Sequence, residues 1–270
     1  MIIRYTEHGQ PEVGQRLGGR LERPARIAGT VGASSTAARM TLPCSCHIRM
    51  VCSTHDIEST VGSIDVLIVN AGYGHEGVLE ESPMSELRAQ FEVNVFGAVA
   101  TIKAALPYMR KRRRGHILGV TSMGGLMTVP GLAYYHGSKY ALEGILETLG
   151  KEVASFGIHV TAVEPGSFRT DWAGRSMVRT ERSIPDYDPL MNPVRERRMA
   201  ASGNQLGDPD KAAQALLTVL DVSHPPTHLV LGSDALRLVT HGRAAVDREI
   251  EQWADLSHTT DFPDGAQIGG

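Results

Sequence analysis

Tyr135 and Lys139 stand four positions apart, the spacing that brings two side chains out of one helical face a turn from each other. An ammonium beside a phenol favours the phenolate, so Lys139 is expected to lower a tyrosine pKa of about 10 toward the range where it exchanges protons at neutral pH. Alone, the pair is ordinary, because Tyr and Lys at this spacing are common on solvated helices. Its context is not. Ser122 lies thirteen residues upstream of Tyr135, just beyond an apolar run from His116 to Thr121 that reads as a strand. A hydroxyl there sits at the C-terminal edge of a sheet, where doubly wound folds hold their ligands. Gly124-Gly125 follows and frees the backbone for a tight turn beside a bound molecule.

The elements that must position these groups are legible from residue 64 onward. Short β-rich apolar runs alternate with longer helical periods, which implies a parallel sheet covered by helices on both faces. Ile64 to Val69 is continuous in apolar residues, as a strand buried on both faces should be. Met84 to Met109 carries Leu87, Phe91, Val95, Val99, Ile102 and Leu106 at helical spacing. Tyr134 to Phe156 is the next helix, with Gly157 suited to a left-handed cap. Ile158 to Val163 is a strand closed by Pro165-Gly166, Lys211 to Leu220 a helix, and His228 to Leu231 a last strand. Residues 170–206 turn polar and proline-bearing, which predicts a mobile insertion of short helices and loop. One more helix is expected after Ser233, before a fraying Gly-rich end.

With these elements in place, Ser122 followed by Tyr135-His136-Gly137-Ser138-Lys139 resembles the catalytic Ser and Tyr-x-x-x-Lys signature of the short-chain dehydrogenases/reductases. Thr121 to Met127 is similar to members acting on steroids and retinoids. The resemblance spans about residues 64–235 with its motifs in order. It implies a single-domain, Rossmann-like, doubly wound α/β fold that moves hydride between NADP or NAD and a carbonyl or secondary alcohol. Tyr135 would be the general acid or base, Ser122 would bond the substrate oxygen, and Lys139 would assist Tyr135 and bind the nicotinamide ribose. Asn94 would complete the tetrad by holding a water that links Lys139 to solvent. Asn70-Ala71-Gly72 resembles the end of the Asn-Asn-Ala-Gly motif beside the cofactor, with Val69 in place of its first Asn. Pro165, Gly166 and Thr170 resemble the groups that contact the nicotinamide carboxamide. Read without the family, Asn94 serves as well for a local bond in its helix, Asn70 to Gly72 for a plain strand-ending turn, and Thr170 for the N-cap of a following helix.

The first 60 residues depart from that pattern. They hold seven arginines, no lysine and no convincing apolar period; only Ala25 to Val31 and His47 to Ser53 look like strands. The Thr-Gly-x-x-x-Gly-x-Gly turn that cradles the cofactor pyrophosphate has only an echo in Thr30 to Ser35. Thr54-His55-Asp56-Ile57 is similar to the family's Asp-Val contact with adenine, which assigns Asp56 and Ile57 to the cofactor. Residues 1–60 therefore read as a degenerate Rossmann start, an altered or shortened version of a regular one, ahead of a 61–240 catalytic core and a 241–270 helix and tail. Cys44, Cys46, His47, Cys52 and His55 are soft ligands whose spacing fits no zinc module, and no metal is expected.

Bulk properties narrow the partners. Thirty acidic against 27 basic residues, a net charge of −3, offer no global attraction to nucleic acid or anionic membranes. The basic run Arg110 to Arg114 closes a helix and suits its C-terminus. Arg175, Arg179 and Arg182 could receive an acidic substrate group, although a solvated loop explains them as well. No apolar stretch reaches the length of a membrane span, no export signal is evident, and a disulfide framework is not expected of three cysteines. A cytoplasmic protein is the expectation. The resemblance adds a homodimer or homotetramer through the 84–109 and 134–156 helices, and the missing glycine turn keeps open a second role, a catalytically impaired relative that acts as a binding or dimerisation partner.

Overall fold

The computed structural model describes residues 2–5, 11–12, 53–174, 176–262 and 265. In chain order the strands are β1 (Ile2–Tyr5), β2 (Pro11–Glu12), β3 (Val66–Val69), β4 (Gly74–Glu76), β5 (Gly115–Val120), β6 (Ile158–Pro165), β7 (Met177–Arg179) and β8 (His228–Leu231). The α-helices are α1 (Met84–Phe91), α2 (Gly97–Arg112), α3 (Ala133–Val153), α4 (Asp188–Ala201), α5 (Pro209–Leu220), α6 (Ser233–Gln252) and α7 (Ala254–His258).

The central sheet has the order β2-β1-β3-β5-β6-β8. Strands β3, β5, β6 and β8 pair in parallel, which requires a crossover between each pair. All four residues of β3 and five of six in β5 are buried, as expected of strands covered on both faces. On one face Ile64, Leu67, Ile117 and Val160 meet Ile102 and Met109 of α2 and Leu142, Leu146 and Val153 of α3. On the other, Val66, Ile68, Leu118 and Val163 meet Leu216, Leu217 and Leu220 of α5. Full burial of each such side chain contributes about 1.5–3 kcal/mol, so the helical periods themselves dictate which face of α2 and α3 turns inward.

Several boundaries differ from the sequence reading. An antiparallel pair, β1 and β2, extends the sheet beyond β3, where strands were expected only at 25–31 and 47–53. The first of those stretches lies outside the described residues, and of the second only Ser53 is described, at the start of a helical segment over 53–61. The boundary at 240 falls within α6, which runs on to Gln252, so no division of the core occurs there. Residues 170–206 are more regular than a mobile insertion: β7 pairs with β4 in a separate two-stranded parallel sheet, and α4 is fourteen residues long. Strands of three residues each, as β4 and β7 are, carry too little period to be seen in sequence.

Gly157 takes the left-handed conformation, φ 68° and ψ 26°, after the last turn of the α3 helix, as the cap requires. The basic run ends α2 as expected but does specific work: Arg112 pairs with Glu58, and Arg114 with Asp65.

Candidate active site

Three segments converge at the C-terminal edge of β3 and β5. The first is the turn after β5. Ser122 lies two residues beyond the strand and caps a short 3₁₀ turn over Met123–Gly125, its hydroxyl accepting from the Gly124 amide at 3.0 Å. His136 locks that turn from α3: its Nδ1 lies 2.7 Å from the Gly124 carbonyl, while its Nε2 accepts from the Val129 amide at 3.0 Å. A carbonyl can only accept and an amide only donate, so this imidazole is neutral with its proton on Nδ1; burial also lowers its pKa. His136 is thus a positioning residue that the sequence offered only as an x of the motif.

The second segment is α3, which buries Tyr135, Ser138 and Lys139 together. The Ser122 side chain lies beside the Tyr135 hydroxyl and acts to lower its pKa. Lys139 Nζ donates to the Val120 carbonyl at 3.1 Å and stands 5.8 Å from the Tyr135 ring centre. The expected lowering of the Tyr135 pKa does not occur. Burial drives the phenol up to about 12, against the opposing influence of Ser122, and drives Lys139 down to about 8, against the attraction of Glu143. Desolvation of both groups outweighs what the ammonium does for the phenolate, so the phenol is a proton donor in this environment.

The third segment is the join between α1 and α2. A π turn over Glu92–Phe96 carries Asn94 inward, a local widening of the kind often found at functional sites. The Asn94 side chain is completely used: Oδ1 accepts from the Tyr73 amide at 3.1 Å, and Nδ2 donates to the Tyr73 carbonyl at 3.1 Å and to Ser138 Oγ at 3.0 Å. It fastens the end of β3 to α3. Gly72 makes this approach possible, because a Cβ there would lie 3.2 Å from Asn94 Oδ1 and 3.5 Å from Lys139 Nζ.

The structure therefore brings Asn94, Ser122, Tyr135 and Lys139 together, with the exposed Asn70-Ala71-Gly72 turn beside them. Pro165 ends β6, and Gly166 packs where a Cβ would meet Asp234 Oδ1 at 2.4 Å; the other Asp234 oxygen accepts from the Ser167 amide. Thr170 caps a 3₁₀ turn through Trp172. Trp172 is the main residue missed by sequence: its ring centre lies 5.1 Å from that of Tyr135. Its only sequence signal was rarity, one of two tryptophans in the chain. Asp56 and Ile57 are not part of this assembly. They sit in the helical segment before β3, where the neighbouring Glu58 bonds Arg112 at the end of α2 and His55 bonds Tyr108, toward the opposite edge of the sheet. Ile57 packs into the core instead.

Two of the loop arginines are also not open to substrate. Arg179 pairs with Glu76, and Arg182 pairs with Glu81 and Asp188; Arg175 lies outside the described residues, as do Cys44, Cys46, His47 and Cys52.

Comparison with known proteins bears directly on this arrangement. The family described as short chain dehydrogenase matches residues 21–179. The chain belongs to that family. The match to the short-chain dehydrogenases begins at residue 21, so the family likeness reaches back into the stretch whose glycine turn is degenerate. Oxidoreductase BOA17 of Botryotinia fuckeliana is 39% identical over 196 residues, 73% of this chain and 71% of that protein. The 3-ketodihydrosphingosine reductase of Bacteroides thetaiotaomicron is 36% identical, over 67% of each. Among solved structures, a short-chain dehydrogenase from Streptomyces avermitilis superposes with a TM-score of 0.74 at 38% identity, covering 80% of this chain and 78% of the other. ElxO with NADP bound shares the fold, with a TM-score of 0.57 at 22% identity over 73% and 77% of the two chains. The short-chain dehydrogenases are oxidoreductases, and this chain is one of their enzymes by descent. No helix among its described residues is long and apolar enough to cross a membrane.

Proposed function

We propose that this chain transfers hydride between NADP or NAD and a small-molecule carbonyl or secondary alcohol, with Tyr135 as the general acid and base. The observation that carries the reading is the convergence of the Tyr135 hydroxyl, Ser122 and Lys139 at one sheet edge beside a glycine cradle. The nicotinamide end of a cofactor fits these residues: Gly72 leaves room beside Lys139 Nζ, which would take the ribose hydroxyls, and Asn70, Ala71, Pro165, Gly166 and Thr170 would border the ring. When bound, the nicotinamide supplies or accepts the hydride.

In reduction, Ser122 and Tyr135 would both hydrogen-bond the substrate oxygen, and the neutral phenol would deliver its proton as charge develops there. In oxidation Tyr135 must first lose its proton, and burial makes that the harder direction. Because the Asn94 side chain is filled by Tyr73 and Ser138, the water assigned to Asn94 by family resemblance would fall to its main-chain carbonyl. Trp172 would form an apolar wall over the reacting centre and help to exclude water.

The exposed outer faces of α2 and α3, with Val99, Leu106, Tyr140 and Ile145 along one groove, support a homodimer or homotetramer. A second reading, a binding partner without turnover, is favoured only by the degenerate Thr30 to Ser35 turn. Titration with NADPH and NADH, followed by cofactor fluorescence, separates the two. Saturable binding below millimolar concentration supports the enzyme, and no binding overturns it. Tyr135→Phe should then lower turnover by roughly 10²–10⁴-fold while cofactor affinity holds; unchanged turnover removes Tyr135 from the proton transfer.

A further inference from the structure

One helical turn beyond Lys139, α3 carries Glu143, which is 5% exposed, and opposite it β6 presents Glu164, which is fully buried. Two carboxylates in such a place are costly unless something sits between them. With both ionised, neither Glu143 oxygen nor Glu164 Oε2 has a hydrogen-bond partner. Thr121 stands beside Glu143, but its hydroxyl hydrogen is committed to the Val163 carbonyl at 2.9 Å. The remaining Glu164 oxygen, Oε1, meets His228 Nδ1 at 2.7 Å, and the same nitrogen lies 3.7 Å from Glu143 Oε2. His228 opens β8, and its side chain is 36% exposed, so it joins the buried pair to solvent.

We propose that Glu143 and Glu164 hold a single proton between them, exchanged with solvent through His228, and that this protonated pair sets the charge of Lys139 from beneath the active site. The proposal rests on the hydride-transfer reading for its consequence, but not for the shared proton itself. One proton turns one carboxyl into a donor to the other, gives partners to two of the three orphaned oxygens and cancels one of the two buried negative charges. The surroundings favour a proton over a metal cation. Lys139 and Arg243 already bring positive charge to the pair, from α3 and α6, with Tyr140 and Glu147 the other ionisable neighbours on α3 and His228 the one on β8. Burial raises both glutamates to about 7, which agrees with a proton retained near neutrality. As that proton leaves, the negative charge on Glu143 strengthens its hold on the Lys139 ammonium; Glu143 is therefore a positioning residue acting through Lys139.

The sign of the pH effect follows. Each carboxyl has a folded pKa above its ordinary 4.5, so the stability it confers is full below about 4.5 and is lost as pH rises through about 7. Infrared difference spectra of the whole protein without added ligand, recorded across that range, should show a buried protonated carboxyl band at neutral pH. The band should vanish in both Glu143→Gln and Glu164→Gln, the second serving if the first fails to fold. The thermal midpoint of Glu143→Gln should rise relative to wild type across the same window. NADPH affinity measured against pH should lose its alkaline limb at lower pH in Glu143→Gln, because Lys139 loses its carboxylate partner.

A band that is missing in wild type, or that persists in both variants, overturns the proposal. So does a band that emerges only after the protein is stripped with a chelator, since a cation would then occupy the pair. Absence of NADPH binding in a protein that shows the band would defeat the hydride-transfer reading and leave the shared proton standing.

Discussion

The wall that carries Ser122, Tyr135 and Lys139 and the segment that faces it, residues 171–201, are held by different forces. The wall is apolar packing: α3 lays Leu142, Leu146 and Val153 against Ile117 and Val160, and the catalytic side chains come along on the same helix. The facing segment is held by charge. Glu76, fully buried at the end of β4, binds Arg179 of β7 and Arg195 and Arg198 of α4. Burial pushes this carboxyl up, but the guanidinium groups outweigh it and hold it below the usual carboxylate range. His75 adds a second polar clasp to Glu86 and Thr180. Apolar packing is additive and tolerant, whereas one buried anion serving three cations is a single point of failure.

That contrast can be broken most sharply at Glu76. Glu76→Ala should destabilise the chain by about 3–5 kcal/mol and, before global unfolding, open 171–201 to tryptic cleavage at its arginines; proteolysis that tracks global unfolding alone would erase the distinction. On the packed side, Leu146→Ala should cost about 3 kcal/mol in denaturant unfolding, with no selective nicking of the facing segment.

His116 tests the wall by pH. Its ring meets Thr161 Oγ1 at 2.9 Å, and burial, with His159 nearby, lowers its pKa from 6.5 to about 4. Its contribution is therefore present above 6.5 and is lost as pH falls through about 4; wild type should lose about 3 kcal/mol over that range that His116→Gln retains. Equal acid sensitivity in the two proteins would discard the assignment. The smallest effect is expected at Asp208, whose carboxylate accepts from the Asp210 amide at 2.9 Å and caps α5. Asp208→Ala should cost about 1 kcal/mol, read as a shift in the thermal midpoint.

The sequence by itself determined the parallel core, its helices and the spacing that sets Tyr135 above Lys139, because helix and strand periods are local and the burial they imply is nearly the same in any globular fold. It could not show that Asp56 and Ile57 turn away from the site, that Trp172 stands against Tyr135, or that His136 pins the Ser122 turn. Nor could it show the Glu143, Glu164 and His228 contact or the Glu76 clasp, each formed by residues far apart in the chain. The phenol's pKa is hidden from the sequence for the same reason. The four-residue spacing to Lys139 is written in the sequence, but the depth of burial that overrides its charge exists only once the sheet, α3 and the facing segment have closed around it.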